Sequence, residues 1–311
     1  MNRALSIPNA PRRRVLTTLV ALALLPWATP LFAAQPITGS LAANADTRVD
    51  VSNVRGRIRV TAWDRAEVSV SGSLGEDAKL IFSGGGEHVV VRIESEDDSW
   101  SWWGRSGPKE DTLLDVSVPR RALIDAEAVS ADVRIEGIDG ARELIAESVS
   151  GDVYVDARVG NLDLSSVSGD IEARGSSERS SFESVSGDIE ADGVSGEIAV
   201  ETVSGTANLH GGPIKRLRGS TVSGDLTVTA PAAAGARFDV ESMSGDVAIE
   251  LGADASARIE AETFSGSIRS DVGTVESEEY GPGATLKASV GDAEGEINLE
   301  SFSGDVTIRR R

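Results

Sequence analysis

Apolar and polar positions alternate along most of this chain with a period of two, the spacing of a strand that buries one face. Leu162, Leu164 and Ser166 share one face of such a strand, with Asp163 and Ser165 on the other. After Ser166 the parity switches. Val167, Gly169, Ile171 and Ala173 then share a face, and Ser168 and Asp170 turn to solvent. A parity switch inside a β-rich stretch predicts a bend, because an unbroken strand would throw its apolar residues outward. The glycine just past it marks a tight corner or a close backbone approach.

The pattern recurs as a phrase. SVSGDV at Ser148 returns as SVSGDI at Ser166 and Ser184, TVSGTA at Thr202 and TVSGDL at Thr221. Further copies are SMSGDV at Ser242, TFSGSI at Thr263 and SFSGDV at Ser301. The central glycines lie 18 residues apart over the first four copies, then 19, 21 and 21. The last gap is 38, room for one blurred copy near Val290-Gly291-Asp292. A unit this short cannot bury its own apolar face, so it must stack on its neighbours. Stacking puts Val149 over Val167 over Val185 over Val203, and Val153 over Ile171 over Ile189. The predicted fold is all-β, a parallel β-solenoid with coils of 18–21 residues spaced about 4.8 Å apart. Propeller blades need about 40 residues each, and sandwiches do not repeat one phrase at one offset. Val194-Ser195-Gly196-Glu197-Ile198 lies nine residues from both flanking glycines, which suggests two similar sides per coil.

Three regions follow. Residues 1–34 read as a signal peptide: Arg3, Arg12, Arg13 and Arg14 precede an apolar run from Val15 to Leu25, with Ala33 and Ala34 at the cleavage region. That run is too short to span a membrane. Residues 35–121 read as a β-rich N-terminal part or cap, in which Asn53-Val54-Arg55-Gly56-Arg57-Ile58 is a degenerate copy of the phrase. Residues 122–311 read as regular repeats with no helix. Gly273 to Gly283 reads as an acidic loop, and His210 to Arg218 as a basic one able to meet an anion or solvent. The closing Arg309-Arg310-Arg311 reads as a charged guard on an open strand edge.

Charge narrows the partners. The leader holds four of the 30 basic residues and none of the 50 acidic ones, leaving 26 against 50, a net charge of −24. Nucleic acid and anionic membrane surfaces are disfavoured. No cysteine is present, so neither disulfides nor a lipid-modified cysteine are expected, and the mature chain is expected to lack a transmembrane anchor.

The repeated SVSGDI and TVSGDL phrases, with Val51-Ser52-Asn53-Val54-Arg55-Gly56 and Val116-Ser117-Val118-Pro119, resemble a large bacterial family of exported β-strand-repeat proteins. Its members are known as candidate adhesins of otherwise unknown function, related to the head domain of candidate auto-transporter adhesins. The resemblance covers about Val49 to Ile308 and implies a right-handed, single-stranded β-helix. It brings no catalytic residues.

Candidate chemistry is sparse. Trp100, Trp102 and Trp103 cluster in one polar loop, where they either contact a ligand such as a sugar ring or fold back over apolar coils. They are the ligand-contact candidates. Asp152, Asp170, Asp188, Asp225 and Asp246 form a column, broken at Thr206, in which each carboxylate is expected to accept a backbone N–H at its corner. The phrase is not the glycine-rich nonapeptide of calcium-binding β-rolls. No metal, cofactor or catalytic residue is expected. The leading reading is therefore a non-catalytic exported envelope or surface protein, adhesin-like or scaffolding, whose partner is a surface, a glycan or an envelope protein. A polysaccharide-active β-helix enzyme is the alternative, requiring an irregular acid–base pair in a groove.

Overall fold

The computed structural model describes residues 35–95, 110–277 and 283–311. The leader, the tryptophan loop with Trp100, Trp102 and Trp103, and Glu278 and Glu279 lie outside the described residues. Among the described residues every regular element is a strand, and the 18 strands join one mostly parallel sheet. No described helix is long and apolar enough to cross a membrane.

The rungs pair where the repeat places them. Val153 lies beside Ile171, Ile171 beside Ile189, and Ile189 beside Ala207. Leu226 then pairs with Ala207 and Val247 with Leu226. Inside runs one continuous core, with Leu164, Ile171, Phe182, Ile189, Leu209 and Phe238 fully buried. No coil could sustain that core alone, because each rung's apolar side chains find their contacts on the rungs above and below.

The corner differs from the alternation in one respect. Val167 shares no face with Ile171; it stands outside with Ser168, and the inward series resumes only at Gly169. Two consecutive residues are thus turned out at every corner. Ser166 points inward instead, where its buried Oγ accepts the Gly169 N–H at 2.9 Å. Thr202 does the same for Gly205, while Ser184 Oγ donates to the Gly187 carbonyl at 2.7 Å. The hydroxyl closes its own turn, and so a polar residue can sit in the core wall.

Both ends of the stack depart from chain order. At the C-terminal end Ser242 pairs with Ser301, and Ser301 pairs with Thr263. Val247 likewise pairs with Val306, and Val306 with Ile268. The last coil of the chain is therefore inserted between the two coils that precede it in sequence. The 38-residue gap holds no blurred repeat: Thr274–Ser277 and Ala284–Val290 pair antiparallel, and the second covers Ala257–Thr263. Part of the expected acidic loop is thus strand. Val306–Ile308 has a neighbour on each side, whereas Arg309 and Arg310 pair only with Glu250 and Leu251, on one side. Arg311 meets Glu250 at 2.8 Å, and Arg310 donates to the Ala253 carbonyl.

The N-terminal end repeats this plan. Val49 lies between Val89 and Ile124, and Ile58 between Leu114 and Val133. The antiparallel strand Glu67–Leu74 covers Thr112–Pro119 and pairs in turn with residues 35–42. Each end is thereby closed by antiparallel strands, and each terminal coil is held one layer in. His210 to Arg218 is also not a loop; it lies within the strand Ala207–Thr221.

Candidate binding ridge

Three columns of side chains run along the corner, and the phrase x-Ser-Gly-Asp generates them all. The first is glycine upon glycine. A Cβ on Gly187 would overlap the carbonyl of Gly169, one on Gly205 that of Gly187, and one on Gly224 that of Gly205. The series continues through Gly245 and Gly304 to Gly266, in the inserted order. None of these glycines has a positive φ. The residue is required for close approach, since any side chain would push adjacent rungs apart.

The second column is the aspartates. Asp152 Oδ1 accepts the N–H of Asp170 at 3.0 Å, Asp170 that of Asp188 at 2.9 Å, and Asp188 that of Thr206 at 2.8 Å. Asp246 accepts from Asp305, and Asp305 from Ser267, both at 2.8 Å. The acceptor role expected for these carboxylates holds, but each serves the next coil rather than its own corner. The carboxyl of Asp305 lies below the usual range, first because the Ser267 N–H bonds to it and then because Arg269 does.

The third column is apolar and faces water. In stack order it runs Val129, Val149, Val167, Val185, Val203, Val222, Met243, Phe302, Phe264, with exposures from 41 to 61 %. Each ridge residue's carbonyl before the terminal Phe264 accepts the N–H of the serine one rung on, as in Ser168 to Val149 at 3.0 Å and Ser265 to Phe302 at 3.0 Å. The backbone beneath the ridge is thus laddered from Val129 to Phe302. At its far end the rings of Phe264 and Phe302 stack with centroids 5.0 Å apart and planes 7° from parallel. Nine rungs at about 4.8 Å give a ridge roughly 38 Å long. A contiguous exposed apolar line of that length is unusual on a protein surface.

Acidic residues border the ridge. Glu147, Ser165, Glu183, Glu201, Ser220, Glu241, Glu300 and Glu262 follow one another on adjacent rungs. Partial burial holds the Glu147 carboxyl above its ordinary range, and Glu127, Asp125, Asp163 and Glu183 add to this by repulsion. Between this row and the valines lies a groove of about 400 Å³, floored by Ser166, Ser184 and Thr202.

A different patch occupies the neighbouring face. Glu143, Asp163, Arg179, Glu197, Arg216 and Arg218 line a groove of about 370 Å³. Burial, and then Glu143, raise the Asp163 carboxyl. Arg216 pairs with Glu197 at 3.2 Å. Among the described residues no group of three His, Cys, Asp or Glu side chains could hold a metal ion.

Sequence reasoning named Val149, Val167, Val185 and Val203 as a stack but turned them inward. The signal for the ridge was present: Met243, Phe264 and Phe302 replace valine at one phrase position, and such variation in size suits a surface better than a packed interior.

The model of the Toastrack DUF4097 family matches residues 45–309. Among solved structures, similarity is found to a candidate adhesin of Bacteroides fragilis, at 16% identity and TM-score 0.45, over 90% of this chain and 98% of that one. A candidate lipid binding protein of Parabacteroides distasonis gives 13% and 0.41, over 89% and 97%. A candidate cell adhesion protein of Clostridium sporogenes gives 10% and 0.24, over 89% and 100%. None of the curated proteins matches the chain.

Proposed function

The chain belongs to the Toastrack DUF4097 family, and from that premise we propose a non-catalytic, exported envelope or surface protein that binds a partner in an adhesin-like way. The observation that carries the proposal is the solvent-facing ridge from Val129 to Phe264 on a laddered backbone. Leaving nine apolar side chains in water on one line is costly to solubility unless something covers them. The regular carboxylates of the corner are employed as acceptors for the next rung, which supports a structural role for them rather than acid–base work. The solenoid is taken as right-handed with coils of 18–21 residues, supported by the 18-residue register steps and, for its hand, by the family resemblance alone. Export rests on the charged, apolar, small-residue order of residues 1–34.

The test is retention of the full chain on intact bacterial cells and on a glycan array, compared with a Val167→Ser/Val185→Ser/Val203→Ser variant. Retention lost by the variant at an unchanged melting temperature is the expected result. Equal retention of both proteins would remove the ridge from the account.

A second reading, a polysaccharide-active enzyme, is favoured by one observation: the raised Asp163 carboxyl in a groove that also holds three arginines. Release of reducing ends from acidic polysaccharides, abolished by Asp163→Asn, would establish it.

A further inference from the structure

We propose that the ridge docks a cationic amphipathic helix, an inference that rests on the ridge being the binding surface. The ridge and its border contain no lysine or arginine: valine, methionine and phenylalanine form the crest, glutamates interrupted by Ser165 and Ser220 one flank, and serines backed by the aspartate ladder the other. A partner that covers the crest must therefore present apolar groups along a line with positive groups on both sides. Lysine and arginine suit the flanking groove in particular. Their aliphatic stems can lie along Val167, Val185 and Val203 while the charged heads reach Glu183 and Glu201. The floor asks for nothing, because the Ser184 hydroxyl already bonds to Gly187 and the Thr202 hydroxyl to Gly205.

Spacing selects the helix. The crest repeats about every 4.8 Å, and an amphipathic helix repeats its apolar stripe about every 5.4 Å. An extended segment returns to the same face only about every 6.6 Å. A helix laid along the ridge therefore drifts by only about 0.6 Å per rung against about 1.8 Å for an extended segment, its side-chain rows straddling the crest over two or three rungs as ridges fit grooves. The crowded glutamate row adds a driving force: burial and mutual repulsion disfavour the charge on Glu147, and a nearby cation relieves that. A second copy of this chain would bring two carboxylate rows together, which opposes self-docking at low salt.

The probe is a labelled 18-residue leucine–lysine peptide patterned as an amphipathic helix, titrated into the full chain by fluorescence anisotropy. Three further peptides are run beside it: a scramble of the same composition, a version with glutamate for lysine, and one with serine for lysine. The patterned cationic peptide is expected to bind, with affinity falling about tenfold or more between low and high salt as screening takes hold. The Val167→Ser/Val185→Ser/Val203→Ser variant should weaken it about tenfold. Glu183→Gln/Glu201→Gln should weaken it several-fold and flatten its salt dependence, with both variants melting as the parent does. Equal binding of the scramble would overturn the helix. Tight, ridge-dependent binding of the serine or glutamate peptide would overturn the cationic partner and leave the ridge standing. If no peptide responds to the valine substitutions, the ridge itself falls.

Discussion

Each corner brings two backbones closer than any side chain permits, and that fixes the cost of changing it. Gly187→Val must displace the Gly169 carbonyl, so a loss of about 3 kcal/mol or more is expected. Exposed Ser186→Ala should stay within about 0.5 kcal/mol, and equal melting of the two would contradict the stacked corner. Asp170→Asn keeps an oxygen to accept the Asp188 N–H and removes a charge lying between Asp152 and Asp188, so it should match the parent or exceed it slightly. Asp170→Ala orphans that N–H only where water cannot reach it; at this exposed corner about 1 kcal/mol is expected. Chemical denaturation of both variants checks the pair. The glycine and aspartate columns were legible because chemistry repeated at every rung must serve the stack. The serine was harder to place, since hydropathy alone cannot show that a hydroxyl inside the wall bonds to its own turn.

Glu147 makes one contribution to the pH dependence. Its carboxyl is raised in the folded chain, first by burial and then by neighbouring carboxylates. A raised acid favours the fold below its unfolded pKa, and that contribution is lost as pH rises through the folded value. Glu147→Gln should therefore melt slightly above the parent at neutral pH, and the gain should vanish below the ordinary glutamate range. A gain that persists or grows in acid would reverse the assignment.

Among the elements, the inserted C-terminal coil is the most consequential. Glu296–Ser301 and Val306–Ile308 each have a strand on both sides, so their removal opens a slot inside the stack rather than shortening it. Ile297, Leu299, Val306 and Ile308 are all buried there, each contributing about 1.5–3 kcal/mol. A chain ending at residue 294 is expected to lose cooperative unfolding, or to associate through the two edges it uncovers. Cooperative, monomeric unfolding of that truncation near the parent's melting temperature would contradict the insertion. Sequence could not reveal this order. The phrase at Ser301 is as good a copy as that at Ser242, and register identity tells which face a residue takes but not which neighbour it meets. The antiparallel excursion between them was likewise hidden, because Ala284–Val290 carries no corner phrase.

For the molecule as a whole, the fold class could be read because one period dominates half of the chain, whereas the ridge could not, because alternation assigns apolar residues inward by default. A single line of apolar side chains crosses the rungs in an order the chain does not follow. Spin labels placed pairwise at Val129 with Phe302 and at Val129 with Phe264, read by pulsed dipolar spectroscopy, test it most directly. At about 4.8 Å per rung, the inserted order predicts roughly 34 Å for the first pair and roughly 38 Å for the second. Stacking in chain order would instead place Phe302 farther from Val129 than Phe264, and that ordering of the two distances would contradict both the ridge and the insertion that completes it.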